Sequence, residues 1–352
     1  MRFMYWPNES DTTDPLSLQV GPRKTFSKLQ NVGRITELSI YSYRAQRERH
    51  STQDSFDAEA LAFVRENRPD VLFVSHPGGS TIGPTLWKSL RREFPELTIV
   101  YHEGDDYGRF IKPIDRPMQA LLEVADLVMI PGLGGLRNRF AAKTSGQVRF
   151  LPTFFDSDRF ITSDPREAEK RDDVVLIGNR TNVLGMPFLF LPSGRKRARL
   201  VSSLSRHFGP RFALYGSGWG DAASARGRLD YRAQEAAIQA GRISVGWSNF
   251  DRTPYCFSDR VPISLAAGVP HVTSWQPGLE QIFEGCPGIY FCKTVEESLD
   301  CCAYLLSRSD DSLLAEGLGG RQWVKSNLEA EVIFTRAFEM VQEALESRSR
   351  EP

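Results

Sequence analysis

The chain has 352 residues, enough for two domains that each bury a core of their own. Hydrophobic residues make up 41% and charged residues 25%, the ordinary balance of a globular protein. Lys+Arg and Asp+Glu both number 44, and the resulting formal charge of zero excludes a generally basic nucleic-acid binder, leaving only local basic patches.

In chain order, "RFMYWP" near the N-terminus and "RITELSIYSY" (34–43) are strand candidates in an otherwise poorly legible first 55 residues. A theme then begins: "RPDVLFVSHPGG" (68–79), "LTIVYHEGDD" (97–106) and "ADLVMIPGLGG" (125–135) are apolar runs ending in polar or Gly-rich turns, with "VRFLPTFFD" (148–156) shorter. Amphipathic stretches such as 57–67 and 84–94 separate them. Continuous apolar strands alternating with helices predict a parallel sheet covered on both faces. The charged stretch 157–171 reads as a linker. The theme restarts with strands at 172–181, 211–219, 241–247, 269–274 and 287–293, and helices at 195–208, 258–268 and 294–307. The expected layout is an N-terminal Rossmann-like domain at 1–156, a second at 172–325, and a C-terminal amphipathic helix at 326–352.

In open α/β sheets, ligands bind at the carboxyl ends of strands. In the first half those ends carry His76, His102, Glu103, Asp105 and Asp106. Asp105, His102 and His76 are the candidate acid–base groups, with Asp105 or His102 foremost. In the second half Gly178, Asn179 and Arg180 follow a strand, where a glycine admits close backbone approach and its neighbours can meet phosphate oxygens. Tyr215, Gly216 and Trp219 end the next strand and offer an aromatic face to a base. Ser258 is placed to cap a helix with Arg260 in its first turn, and Pro277, Gly278, Leu279 and Glu280 form a turn opening another helix. Arg260 would neutralise a diphosphate, and Glu280 would accept hydrogen bonds from ribose hydroxyls. His50, His207 and His271 read as structural, and the basic run 194–199 as a solvated face or, alternatively, a contact for phosphates of the donor or of a polyanionic acceptor.

The cysteines at 256, 286, 292, 301 and 302 are odd in number and fit no common zinc spacing, so free thiols in a reducing cytoplasm are expected. No metal-ligating cluster is evident; the nearest Asp-x-Asp is Asp156-x-Asp158, opening the linker. No apolar run reaches the ~18 residues of a membrane span, and the N-terminus lacks a signal-peptide core, so a cytoplasmic location and no membrane span are expected.

"SDRVPISLAAGVPHVTSWQPGLEQIF" followed by "GIYFCKTVEESLD" resembles the donor site of GT-B glycosyltransferases, most closely the CgeB-like, spore-maturation group within the family 1 type. Ser258, Arg260, Ala266, Gly268, Thr273, Pro277, Gly278, Glu280 and Phe283 match that group's pattern, and the resemblance covers about 172 to 306. Ile263 departs from it, standing where many members carry a glutamate that touches the donor sugar. The resemblance implies two Rossmann-like doubly wound domains facing across a cleft. It also implies metal-independent transfer of a sugar from a UDP-, GDP- or dTDP-sugar to a hydroxyl. The acceptor stays open between polysaccharide, protein, small molecule and modified DNA bases of the phage type. A non-catalytic nucleotide-sugar-binding homologue is the alternative that Ile263 permits.

Overall fold

A computed structural model describes residues 1–10, 19–76, 82–183, 186, 189–220, 222 and 224–348. The Gly-rich turn expected at 77–79 and the last residues of the terminal helix, 349–352, lie outside the described residues. The chain forms two compact units, Met1–Pro152 joined by the segment that begins at Ala330, and Thr153–Glu329.

The first unit is built on a six-stranded sheet. Its strands are β1 (Arg2–Trp6), β2 (Glu37–Ile40), β3 (Val71–Ser75), β4 (Thr98–His102), β5 (Leu127–Ile130) and β6 (Gln147–Phe150). All pairs are parallel and the order is β2-β1-β3-β4-β5-β6. Strands β3, β4 and β5 are buried along their whole length, as their unbroken apolar runs require when helices cover both faces. The crossover helices are α1 (Val20–Asn31), α2 (Tyr43–Arg49), α3 (Gln53–Asn67), α4 (Pro84–Glu93), α5 (Arg116–Leu122) and α6 (Gly135–Ala141). Local chemistry sets their starts: Thr52 accepts from Ser55 N at α3, and Asp115 accepts from Met118 N at α5, with Pro117 in the first turn.

The second unit holds α7 (Ser157–Phe160), β7 (Asp172–Ile177), α8 (Gly194–Phe208), β8 (Phe212–Tyr215), α9 (Gln234–Gln239), β9 (Gly241–Val245) and α10 (Arg260–Ala266). It continues with β10 (His271–Ser274), α11 (Leu279–Ile282), β11 (Ile289–Cys292), α12 (Val295–Leu306) and α13 (Asp310–Asn327). Its five-stranded parallel sheet runs β11-β10-β9-β7-β8. Both sheets therefore reverse strand order once, between β1 and β3 and between β7 and β9. Thr294 caps α12 by accepting from Glu297 N, and the Glu297 carboxylate accepts from Lys293 N, one residue before the cap, at 2.7 Å, a close variant of the T-x-x-E capping box.

The segment 157–171 is folded onto the second unit, where a linker was expected. Asp156 caps α7, Phe160 is buried against Tyr231 (5.5 Å between rings), and Thr162 N donates to the buried Glu235 at 3.0 Å. Lys170 Nζ donates to the carbonyls of Gln239 (2.7 Å) and Gly241 (2.9 Å). Polar composition suggested solvent; the side chains instead satisfy backbone and carboxylate groups at the edge of the sheet.

The C-terminal helix, expected at 326–352, begins at Ala330, and residues 326–327 close α13. Leu328 O accepts from Phe155 N (3.2 Å) and Glu329 bridges Phe155, which ends α13. Helix α14 (Ala330–Arg348) then belongs to the first unit. There Phe334 and Phe338 are fully buried; Phe334 meets the rings of Phe26, Phe73 and His102 at 5.8, 6.2 and 5.3 Å. All five cysteines are free thiols. Among the described residues no helix is long and apolar enough to cross a membrane.

Because α14 closes the aromatic core of the first unit, Phe334→Ala is expected to cost about 3–5 kcal/mol. Hydrogen exchange should show the loss in the amides of β1, β3 and β4, with those of β7 to β11 unchanged; equal loss in both units would contradict this assignment.

Candidate functional site

In the second unit the strand-order reversal opens a recess. Pairing of β7 with β9 ends at Val175↔Ser244, whereas β7 pairs with β8 as far as Ile177↔Tyr215. Beyond that fork the chains separate, and Gly178, Trp247, Ser248, Ser258, Arg197 and Arg260 line the gap, with Thr273 and Gln276 from the neighbouring strand end. This is where an open α/β sheet takes its ligand.

Two guanidinium groups dominate the recess. Arg260 opens α10; its Nη1 lies 3.1 Å from Asp259 Oδ1 and 3.4 Å from Ser258 Oγ, while its buried Nε has no hydrogen-bond partner. Arg197 enters from the first turn of α8 and donates to Trp247 O through Nε (2.7 Å) and Nη2 (2.5 Å) and to Asn179 O through Nη1 (3.1 Å). Burial first, and then the like charge of Arg260, push the Arg197 pKa down to about 10. Two neighbouring guanidinium groups therefore face the recess, one already paired with Asp259 and with its Nε donor unspent, an arrangement chemically suited to an anion.

The other residues expected to bind the donor divide by structure. Gly178 and Ser258 line the recess with Arg260. Ser258 Oγ accepts from Arg260 N, the first amide of α10, at 3.4 Å and donates to Asp259 Oδ1 at 2.9 Å, while Asp259, the N-cap residue itself, makes no side-chain bond to the helix. Asn179 and Arg180 are exposed just past β7; Asn179 Oδ1 accepts from Ser217 N (2.9 Å), and Arg180 lies over Phe190 (5.4 Å). Gly216 has φ +134, and a Cβ there would stand 2.3 Å from Gly178 O, so only glycine lets the two strand-end loops meet. Trp219 offers no face to a ligand, because it is buried in the core and its Nε1–H donates to Gly178 O at 2.7 Å. Tyr215 is half-buried beside Arg226, whose Nη1 donates to its hydroxyl at 3.3 Å.

Pro277, Gly278 and Leu279 build a turn whose polar groups are partly spent. Pro277 O accepts from Tyr255 N (2.7 Å), and Gly278 (φ +88) lies against the Tyr255 ring. Leu279 is buried with its amide directed to Gln276 O (3.2 Å), so it is not offered to a ligand. Glu280 is exposed and accepts from Trp275 Nε1–H; it is not among the residues lining the recess. His271 is buried, bonds Ser244 Oγ through Nδ1 (3.1 Å), and is pushed by burial to a pKa of about 3, a neutral core histidine.

In the first unit the reversal lies between β1 and β3, and His76 stands at it. Asn8, just past β1, donates to His76 O at 2.6 Å, and Tyr43 OH donates to the same oxygen at 3.0 Å. His76 N donates to His102 O (2.7 Å), and the residue is held at φ +47, left-handed for a non-glycine. Such strain persists where surrounding bonds over-determine it, and it gathers at functional sites. Its Nδ1–H donates to Glu103 Oε1 at 2.5 Å; Glu103 is fully buried and also accepts from Tyr101 OH (2.7 Å) and Asp105 N (2.9 Å). Burial alone would lower the His76 pKa, but the charge of Glu103 and the bond to it, aided by Asp105, lift it to about 9.

The two foremost acid–base candidates sit differently. His102 is buried against Phe73 and Phe334, bonds Ser75 Oγ (3.2 Å), and is driven by burial, then by His76, to a pKa of about 3. Asp105 is exposed and paired with Lys112 (2.6 Å). Among the described residues no group of three or more His, Cys, Asp or Glu is placed to hold a metal ion.

The sequence offers Glu103 as one of several acid–base candidates and Arg197 as one member of the basic run 194–199, without the partner of either. Arg197 lies on the stripe that continues through Leu200, Val201 and Leu204, the buried face of α8. Parallel register pairs Ser75 with His102, so the next step sets His76 opposite Glu103.

A family model described as glycosyl transferase-like matches residues 195–339. No curated protein matches the chain in sequence. Similar solved structures include sucrose-phosphate synthase from Thermosynechococcus elongatus, with a TM-score of 0.65 and 12% identity over 99% of this chain and 100% of that one. HepE of Anabaena, in complex with UDP and glucose, has a TM-score of 0.59 and 11% identity over 97% and 99% of the two chains. A glycosyltransferase from Rickettsia africae has a TM-score of 0.57 and 10% identity over 98% of each chain. What is shared at these identities is the fold: two parallel sheets with flanking helices, the two Rossmann-like domains of GT-B.

The His76–Glu103 pair makes stability depend on pH. Since the folded pKa is raised from 6.5 to about 9, the pair's contribution is complete below pH 6.5 and is lost as pH rises through 9. NMR titration should place His76 near 9 and, in Glu103→Gln, move it below 7; a His76 that titrates below 7 in the unaltered protein would refute the pairing.

Proposed function

We propose that this protein is a glycosyltransferase of the CgeB-like, GT-B type, transferring a sugar from a nucleoside-diphosphate sugar to an acceptor hydroxyl. The observation that carries the reading is the recess at the β7–β9 reversal, with the unspent Arg260 Nε beside Arg197. There the two guanidinium groups hold the diphosphate. As the bond from the anomeric carbon to the phosphate oxygen breaks, they stabilise the charge that gathers on the leaving group. Glu280, outside the lining itself but on the turn that continues from Gln276 of its wall, accepts hydrogen bonds from the ribose where the nucleoside extends beyond the recess. UDP is the first nucleotide to test, because HepE of the same fold was solved with UDP and glucose; GDP and dTDP are the others.

On the acceptor side His76 is the acid–base group, oriented by Glu103 as a carboxylate orients an imidazole in hydrolytic triads. It takes the acceptor hydroxyl's proton on its outer nitrogen, which makes the acceptor oxygen the nucleophile. With a pKa of about 9 in the free protein, its base form grows about tenfold per pH unit below that value.

One observation favours a second reading, nucleotide-sugar binding without transfer. Ile263 is buried beneath Arg260, where the resembling group carries a glutamate that touches the sugar. Donor hydrolysis or transfer in the absence of other proteins excludes that reading.

Calorimetric titration with UDP, GDP and dTDP tests the main one. Arg260→Ala and Arg197→Ala should each weaken the bound nucleotide about 10–100-fold, the loss of charge-assisted hydrogen bonds; unchanged affinity in both would sink the reading. For the reaction, kcat/KM should climb from pH 7 toward 9, and His76→Ala should lower it about 10²–10⁴-fold with nucleotide affinity intact.

A further inference from the structure

We infer that Trp275 is a positioning residue for the ribose end of the nucleotide site, its indole N–H fixing the Glu280 carboxylate in the orientation that receives sugar hydroxyls. This rests on the nucleotide reading above and adds a residue to it.

Trp275 follows β10 directly, yet the sheet still holds its backbone. The β10–β11 register ends at Ser274↔Cys292, and Trp275 N donates to Cys292 O at 2.7 Å. The indole is fixed on two sides: Nε1–H donates to Glu280 Oε1, and Lys293 Nζ lies 5.1 Å from the ring centroid. The intervening turn is fastened as well, with Gln276 and Leu279 buried and Gly278 seated on the Tyr255 ring. Glu280 is exposed, and without the indole nothing else shown would limit its rotamers.

The donor's chemistry matters. An indole N–H is neutral and only donates. It orients one carboxylate oxygen without cancelling the charge, leaving the second oxygen as a full acceptor for a vicinal pair of hydroxyls. A lysine or arginine in its place would neutralise the carboxylate and compete with the ligand for it. A carboxylate held before binding also loses less side-chain freedom when the ribose arrives.

The test compares UDP and GDP, their 2′,3′-dideoxy counterparts, and pyrophosphate as ligands of the full chain. Trp275→Phe should weaken the ribose-bearing nucleotide roughly fivefold and leave the dideoxy nucleotide and pyrophosphate within about twofold of the unaltered protein. Glu280→Ala should give the same pattern with a larger loss. Lys293→Met, which leaves the indole in place and frees its face, should give the pattern more weakly, and it serves if Trp275→Phe does not fold. An equal loss for all three ligand types overturns the inference, since a merely structural tryptophan would act that way. Unchanged UDP and GDP affinity in Trp275→Phe overturns it alone, with the nucleotide reading left standing. Failure of the unaltered protein to bind either nucleotide overturns both.

Discussion

A parallel sheet whose strand order reverses must leave two neighbouring strand ends whose connections run to opposite faces, and the gap between them is the constraint on which both sites depend. In the second unit the gap opens where β9 leaves β7 after Val175↔Ser244. An apolar protein interior would close such a fork with aliphatic side chains. Here two arginines enter it, and removing a guanidinium from water is costly unless its donors are met. Arg197 meets that cost with the carbonyls of Trp247 and Asn179; Arg260 leaves Nε unmet.

The same topology in the first unit is filled with opposite chemistry. Asn8, Tyr43 and the backbone of His102 pin His76 in a left-handed conformation at the β1–β3 reversal, and the ring bonds a carboxylate with no exposure of its own. One sheet end thus concentrates fixed positive charge and the other concentrates a proton that can be held or released. Each set of side chains is carried on strand ends or first helical turns, where packing of the sheet limits their movement.

Supporting residues explain why the reactive ones can be few. Gly216 allows the β8 loop to touch Gly178, and Trp219 clamps the same carbonyl from the core. Helix α14 crosses back in sequence to complete the aromatic layer behind His102, which makes that histidine a wall of the core, neutral and enclosed. The charged stretch after Asp156 also packs, because Glu235 and the carbonyls of Gln239 and Gly241 needed donors.

The sequence by itself determined the two α/β repeats and the strands from β3 onward, since these follow from apolar periodicity and glycine placement, which are local properties. It left α14 unplaced, because an amphipathic helix specifies that one face is buried but not against what. It ranked His102 and Asp105 above His76, because three titratable residues near strand ends look alike until register assigns neighbours. Arg197 lay hidden in a basic run for the same reason: whether an arginine on a helix meets solvent or a strand fork depends on which face the sheet covers. Tertiary structure decided those points, because charge, burial and orientation at a site are set by residues distant in the chain, and only packing brings them within hydrogen-bonding distance.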